Sequence, residues 1–401
     1  ESPVYRGAGG GTRPLIPPKP DDCLSSGFCV PLGTYVAGAR EASVRAALLT
    51  PFDFPSVRGN AITVNRVAHG LRERGVELRV WDCSIISASR LEAEVEAYRP
   101  RLIHAFHAYR VGPLALRLAR SLEVPLLVTI TGTDGNHDLF DAERAQTVRR
   151  VLEGAAAVAV FHDSMQEKIV RALPDLAARM VVIPQSVRLE AGPLYPLAER
   201  LKLPADAVIF LFPAGIRMVK NPFFPLHPFD DLARRFPMVR LLYAGPILDH
   251  AEGERLLDAL AGRPWAAYLG VVPHRQMRSL LEAAHVVLNC SISEGGMANS
   301  VLEAMACARP VLASNIEGNR SLVDDGVSGF LFADPEEFEA KAVRLVEDPA
   351  LRRRMGVAGQ SRTLALYPPE REIESYLAQY RRMALTSSAG DVLRRGGCSV
   401  E

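Results

Sequence analysis

No stretch of this 401-residue sequence strings together the roughly 20 apolar residues that carry a helix across a bilayer. That leaves peripheral membrane contact open but gives no span. Excess charge is absent too. Against 47 Lys and Arg stand 46 Asp and Glu, a formal net charge of +1, which removes the electrostatic case for nucleic acid as the main partner. The six cysteines, Cys23, Cys29, Cys83, Cys290, Cys307 and Cys398, form no Cys-x-x-Cys pair. Their scatter points to reduced thiols in a cytoplasmic protein, not to a disulfide framework or a zinc site. Also missing are a Gly-x-Ser-x-Gly elbow, a Walker loop, an HExxH helix and the kinase set. No Asp-x-Asp offers carboxylates to a divalent ion, so neither metal nor resident cofactor is expected. Residues 1–43 lack the zones of a signal peptide, and the chain begins at Glu1, not Met, as a fragment or processed form does.

What the sequence does have is alternation. The length exceeds one typical core and predicts two domains. Residues 1–43, with Gly9-Gly10-Gly11 and Pro17-Pro18-Lys19-Pro20, read as a disordered extension. From Val44, apolar strands alternate with helical segments. The strands are 44–50, 76–82, 102–107, 125–131, 156–162 and 180–184. An irregular, proline-bearing stretch over 185–204 interrupts the pattern. It restarts with strands at 208–213, 239–244, 266–269, 285–290 and 310–313, and helices at 223–236, 251–261, 275–283 and 297–306. Such alternation predicts α/β architecture: two doubly wound parallel sheets, each covered on both faces, with the ligand in the crevice between them. Beyond Pro335 the pattern is helical to Met383, and the polar tail from Thr386 is expected to fray.

The most informative stretch is Ser291-Ile292-Ser293-Glu294-Gly295-Gly296-Met297-Ala298-Asn299-Ser300-Val301-Leu302-Glu303. It follows a buried strand and enters an apolar helix. Ligands bind at that position in open α/β sheets, and a helix amino terminus there suits phosphate. Carboxylates beside such a site are better suited to sugar or ribose hydroxyls than to phosphate. Glu294 could simply cap the helix and Glu303 could be a solvated helix residue. The apolar neighbours of Glu303 argue against the second reading, because a carboxylate among them needs a partner.

A second constellation, Arg217-Met218-Val219-Lys220-Asn221-Pro222, follows the strand 208–213, with a helix expected to start near Pro222. Read alone, its cations are as easily a surface pair. Beside the glutamate loop they suit a phosphate, Arg as a planar fork and Lys as a point charge. In the first domain, Arg58-Gly59-Asn60 lies after the first strand, where a glycine lets backbone approach a ligand or merely turns the chain. His104, His107 and Thr131-Gly132-Thr133-Asp134 lie at or near strand ends facing the same crevice. His104 reads as a packing residue, while His107 and Asp134 are acceptor-side candidates. Asn136-His137-Asp138 are too closely spaced in sequence to converge on a metal.

From Tyr268-Leu269-Gly270-Val271-Val272-Pro273 through Ser293-Glu294-Gly295, Leu302-Glu303-Ala304-Met305-Ala306 and Arg309-Pro310-Val311 to Asp325-Gly326-Val327-Ser328-Gly329-Phe330, the chain resembles retaining glycosyltransferases of family 4, the group 1 glycosyl transferases. The resemblance covers most of residues 205–366. It is fainter over 44–184, where Gly59-Asn60, Thr131-Gly132-Thr133-Asp134 and Gln185-Ser186 are similar to glycosyltransferase-domain proteins and selenosugar synthases.

It implies a GT-B fold: an extension (1–43), an acceptor-side Rossmann-like domain (44–204), a nucleotide-sugar domain (205–366), a helix crossing back (367–385) and a flexible tail (386–401). It implies a metal-independent, retaining transfer from a nucleoside diphosphate sugar. Arg217 and Lys220 would hold the diphosphate, Glu294 the donor sugar and Glu303 the ribose. Gly59, Asn60, Gly295, Gly296, Asn299, Ser300 and Val272 complete the expected donor site.

The family usually has seven residues between its two glutamates, and here eight lie between Glu294 and Glu303, as a one-residue insertion at Gly295-Gly296 would give. Short gaps between the first-domain elements favour a small acceptor. Two rival readings are a selenosugar synthase-like enzyme with a small or inorganic nucleophile, and a nucleotide-sugar-binding protein without catalysis.

Overall fold

The computed structural model describes residues 44–53, 56, 58–294 and 296–395, with side chains to 385. The extension expected over 1–43, together with Cys23, Cys29, Cys398 and Gly295, lies outside the described residues. So do residues 396–401 of the expected tail.

Two six-stranded, all-parallel sheets organise the chain. The first contains β1 (Arg45–Thr50), β2 (Glu77–Asp82), β3 (Leu102–Phe106), β4 (Leu126–Thr129), β5 (Ala157–Val160) and β6 (Met180–Val182), in the order β2-β1-β3-β4-β5-β6. The second contains β7 (Val208–Pro213), β8 (Val239–Ala244), β9 (Ala266–Tyr268), β10 (Val286–Asn289), β11 (Val311–Ser314) and β12 (Gly329–Phe332), in the order β12-β11-β10-β7-β8-β9. The central strands β3, β7 and β10 are buried along their whole length. That is why they read as continuous apolar runs and not as alternating ones. Strand order reverses between β1 and β3 in the first sheet, and between β7 and β10 in the second. Loops leaving the carboxyl ends of those four strands diverge and leave a crevice.

Each sheet has apolar cores on both faces. One first-sheet core is completed from the far end of the chain. The helix Pro369–Arg395 lays Ile373, Tyr376, Leu377, Tyr380 and Met383 against Val64, Val67, Leu71 and Phe106. Gly70 permits that contact, since a Cβ there would lie 2.5 Å from Ile373 Cγ1. His104 belongs to this core. Its Nδ1 lies 2.8 Å from Tyr380 Oη and its Nε2 2.7 Å from Thr129 Oγ1. Burial pushes its pKa down to about 3, so the ring is neutral at physiological pH.

Three expectations are corrected. The helix foreseen near Pro222 begins at Leu226. Asn221 turns left-handed at φ 53° and the Pro222 carbonyl accepts from Tyr243 Oη, so neither joins a helix. The backbone does not break at Thr386 but stays helical to Arg395, a segment with no proline to stop it. A further strand, β12, extends the second sheet beyond the pattern read from the sequence.

Candidate active site

The site is built where the second sheet reverses. Because β7 and β10 are neighbours, the loop after β7 and the loop after β10 face each other, and the Ile292 N–H donates to the Val219 carbonyl at 2.9 Å. Lys220 forms an ion pair with Glu294, whose carboxylate also accepts from Ser291 Oγ (2.7 Å) and Asn289 Nδ2 (3.4 Å). Burial opposes ionisation of Glu294. Lys220, Ser291 and Asn289 outweigh it and hold the carboxyl below its usual range. Glu294 therefore does not cap the following helix (Asn299–Ala306), which starts with no side-chain cap and no acid in its first turn. Its free N–H groups suit an anion.

Gly318 supports this loop from behind. A Cβ there would lie 2.4 Å from the Gly296 carbonyl oxygen and 2.7 Å from that of Glu294. Glu303, one turn into the helix, is nearly buried and meets His274 Nε2 at 3.0 Å. That hydrogen bond raises the His274 pKa above its ordinary value, against the effect of burial. Arg217 has no ion pair among the described residues. Desolvation lowers its pKa, Glu294 opposes that, and Arg110 and Arg58 reinforce it from across the crevice.

A cavity of about 420 Å³ collects Arg217, Lys220, Glu294 and Glu303 from the second sheet's side, with Gly296, Asn299, Ser300 and Val272. Gly59, Asn60 and His107 line it from the first sheet's side. Asn299 also ties the two sides together. Its Nδ2 donates to the Gly59 carbonyl (3.0 Å) and Thr63 Oγ1 (3.2 Å), and its Oδ1 accepts from Arg66 (3.4 Å). Arg66 in turn forms a two-pronged ion pair with Glu372 of the C-terminal helix. On the other flank, Lys168 pairs with Glu317, and Asn136 Nδ2 donates to Ser293 Oγ at 3.3 Å.

Asp134 is the site candidate that the structure places elsewhere. It is fully buried and outside the cavity lining. Its oxygens accept backbone N–H bonds from Ala108 (2.8 Å), Thr131 (3.0 Å) and Gly132 (2.8 Å), so it braces two crevice loops and does not face an acceptor. His107 does face the cavity, at φ 97°, but both ring nitrogens are engaged. Nδ1 accepts from the Arg110 N–H (3.3 Å) and Nε2 lies 3.0 Å from Thr133 Oγ1. Sequence reasoning missed His274 and Gly318. A histidine at the start of a helix and a glycine inside the one-turn helix Glu317–Arg320 leave no periodic signal. Among the described residues, no three His, Cys, Asp or Glu converge as metal ligands. No described helix is long and apolar enough to cross a membrane.

Two reversed parallel sheets facing one crevice, with a helix packing back from the C-terminus, define a GT-B protein. Known structures share the architecture. Sucrose-phosphate synthase from Thermosynechococcus elongatus superposes with a TM-score of 0.73 at 20% identity, over 86% of this chain and 100% of that one. Anabaena HepE, solved with UDP-glucose, superposes with a TM-score of 0.68 at 16% identity, over 86% and 99%. The chain itself is a glycosyltransferase: residues 35–185 match the glycosyl transferase 4-like domain, and residues 207–348 match the glycosyl transferases group 1 domain. Among its relatives, glycosyltransferase 1 domain-containing protein 1 of Xenopus tropicalis is 25% identical over 74% of this chain and 86% of its own length. A D-inositol 3-phosphate glycosyltransferase of Frankia alni is 29% identical over 71% and 75%.

Proposed function

We propose that this glycosyltransferase moves a sugar from a nucleoside diphosphate sugar to an acceptor hydroxyl, with retention at the anomeric carbon and without a metal. The observation that carries the reading is the convergence of Arg217, Lys220, Glu294, Glu303 and an uncapped helix start on one cavity. Arg217, Lys220 and the helix N–H groups suit the diphosphate. Glu303, oriented by His274, suits ribose hydroxyls, and Glu294 suits the donor sugar. HepE is described with UDP and with UDP-glucose, which makes uridine donors the first to test.

In the reaction, the bond from the anomeric carbon to the phosphate oxygen breaks and a bond to the acceptor oxygen forms. The acceptor proton passes to the leaving diphosphate. That route is favoured because the obvious bases around the cavity are occupied: Glu294 by Lys220, Glu303 by His274, and His107 by Arg110 N–H and Thr133. A leaving group that takes the proton on the face it departs from gives retention. Arg217 and Lys220 stabilise the charge that develops on it. Preorganised contacts of this kind are worth about 3–4 kcal/mol in the transition state.

A thermal-shift screen of nucleoside diphosphate sugars tests the donor assignment, since a ligand at about 100 times its Kd stabilises by roughly 2.7 kcal/mol. Lys220→Ala is then expected to lose at least about 100-fold in turnover. Near-normal turnover in that variant refutes the role.

A further inference from the structure

Resting on the donor reading above, we propose that the acceptor is anionic, a sugar or polyol bearing a phosphomonoester, and that Arg58 and Arg110 hold its phosphate.

The argument starts from charge. Four basic side chains with permanent charge line the cavity: Arg58, Arg110, Arg217 and Lys220. Lys220 is matched by Glu294, and Glu303 is taken by His274. Three guanidinium groups remain without a carboxylate or carbonyl partner among the described residues. Arg217 shares its loop with Lys220 and belongs with the donor diphosphate. The other two come from the first sheet, from the loops after β1 and β3. Those are the two strands between which that sheet reverses, so each sheet presents cations at its own switch point.

Both arginines are held by the same ring. The Arg58 guanidinium lies 3.8 Å from the centroid of Phe52, and that of Arg110 lies 5.8 Å from it. Stacking on an aromatic face leaves the edge donors of a guanidinium free, and those donors match phosphate oxygens. Arg66 and Arg263, by contrast, find carboxylate partners in Glu372 and Asp230. Clustering unpaired like charges at a cavity wall costs free energy, which an incoming anion recovers. A second observation marks the same wall as unfinished. The Asn60 amide lines the cavity with both its nitrogen and its oxygen buried and unbonded. The first helix (Gly59–Glu73) also starts there with no side-chain cap and no acid in its first turn.

The test uses the full chain and paired probes: cyclitol and hexose monophosphates, their unphosphorylated parents, and inorganic phosphate. Binding is read by calorimetry with and without UDP, so it does not depend on turnover. Monophosphates are expected to bind in competition with inorganic phosphate, and the parents to bind at least about tenfold more weakly. Arg58→Gln and Arg110→Gln are each expected to weaken monophosphate binding by about 10- to 100-fold while UDP binding and the melting temperature stay as in the wild type. Equal binding of parents and monophosphates overturns the proposal. So do variants that bind monophosphates as the wild type does, or that lose UDP instead. Failure of the donor reading registers separately, as absence of UDP binding in the wild-type chain.

Discussion

Removing Glu372 should unfold this protein more readily than removing any exposed charge, although Glu372 lies outside the cavity lining. Its side chain is fully buried and that of Arg66 is 7% exposed, with N–O distances of 2.8 and 3.0 Å. Ser186 adds two more hydrogen bonds to the same carboxylate, from its N–H (3.2 Å) and its Oγ (2.5 Å). Burial would depress the Arg66 pKa, but Glu372 outweighs it and raises it. Glu372→Ala leaves a buried guanidinium without its counter-charge, which costs about 3–5 kcal/mol. At roughly 2–4 °C per kcal/mol, the melting temperature falls by about 6–20 °C.

Arg66→Met combined with Glu372→Leu removes both charges, and should recover most of that loss because apolar pairs of similar volume replace buried ion pairs at little cost. Urea titration is the assay. The two tryptophans, Trp81 in β2 and Trp265 just before β9, report one sheet each. Loss should appear first at Trp81, because Arg66 and the C-terminal helix pack on the first sheet. A single-variant loss under about 1 kcal/mol, or a double variant no better than the single, refutes the reasoning.

Other outcomes follow from neighbouring contacts. The His274 pKa is raised by Glu303, so its contribution to stability is fully present below about pH 6.5 and is lost as pH rises through the raised value. His274→Gln should flatten stability over that window in urea midpoints taken across pH, and an unchanged slope counts against the pair. Gly318→Ala presses on the Gly296 and Glu294 carbonyls, and overpacking of about 1–3 kcal/mol should weaken donor binding about 5- to 150-fold by calorimetry. Unaltered donor affinity in that variant means the loop is not held from behind. Asp134→Asn should lower stability by about 1–3 kcal/mol, because an amide cannot accept all three backbone N–H bonds. Wild-type stability with a selective loss of acceptor transfer would instead return Asp134 to the acceptor site.

Much of this architecture is legible in the residues. Continuous apolar runs such as Val208–Pro213 and His285–Cys290 read as buried parallel strands because both faces of each are covered. The glutamate loop, placed between such a strand and an apolar helix, reads as a candidate ligand loop from its residues alone. Those features are local, and local pattern carries them. Which loops meet is not local. Arg217 and Lys220 reach the glutamate loop only because β10 pairs with β7 across an intervening stretch that holds two other strands. Glu294 turns toward Lys220 rather than capping its helix, Glu303 meets His274 at the start of another helix, and Asp134 turns inward to three backbone N–H groups. Spacing alone does not encode those directions. The sequence by itself determined the elements and the chemical types present at their ends. The tertiary structure decided which charges neutralise one another and which are left facing the cavity, because that depends on strand adjacency and on loop paths that no periodicity records.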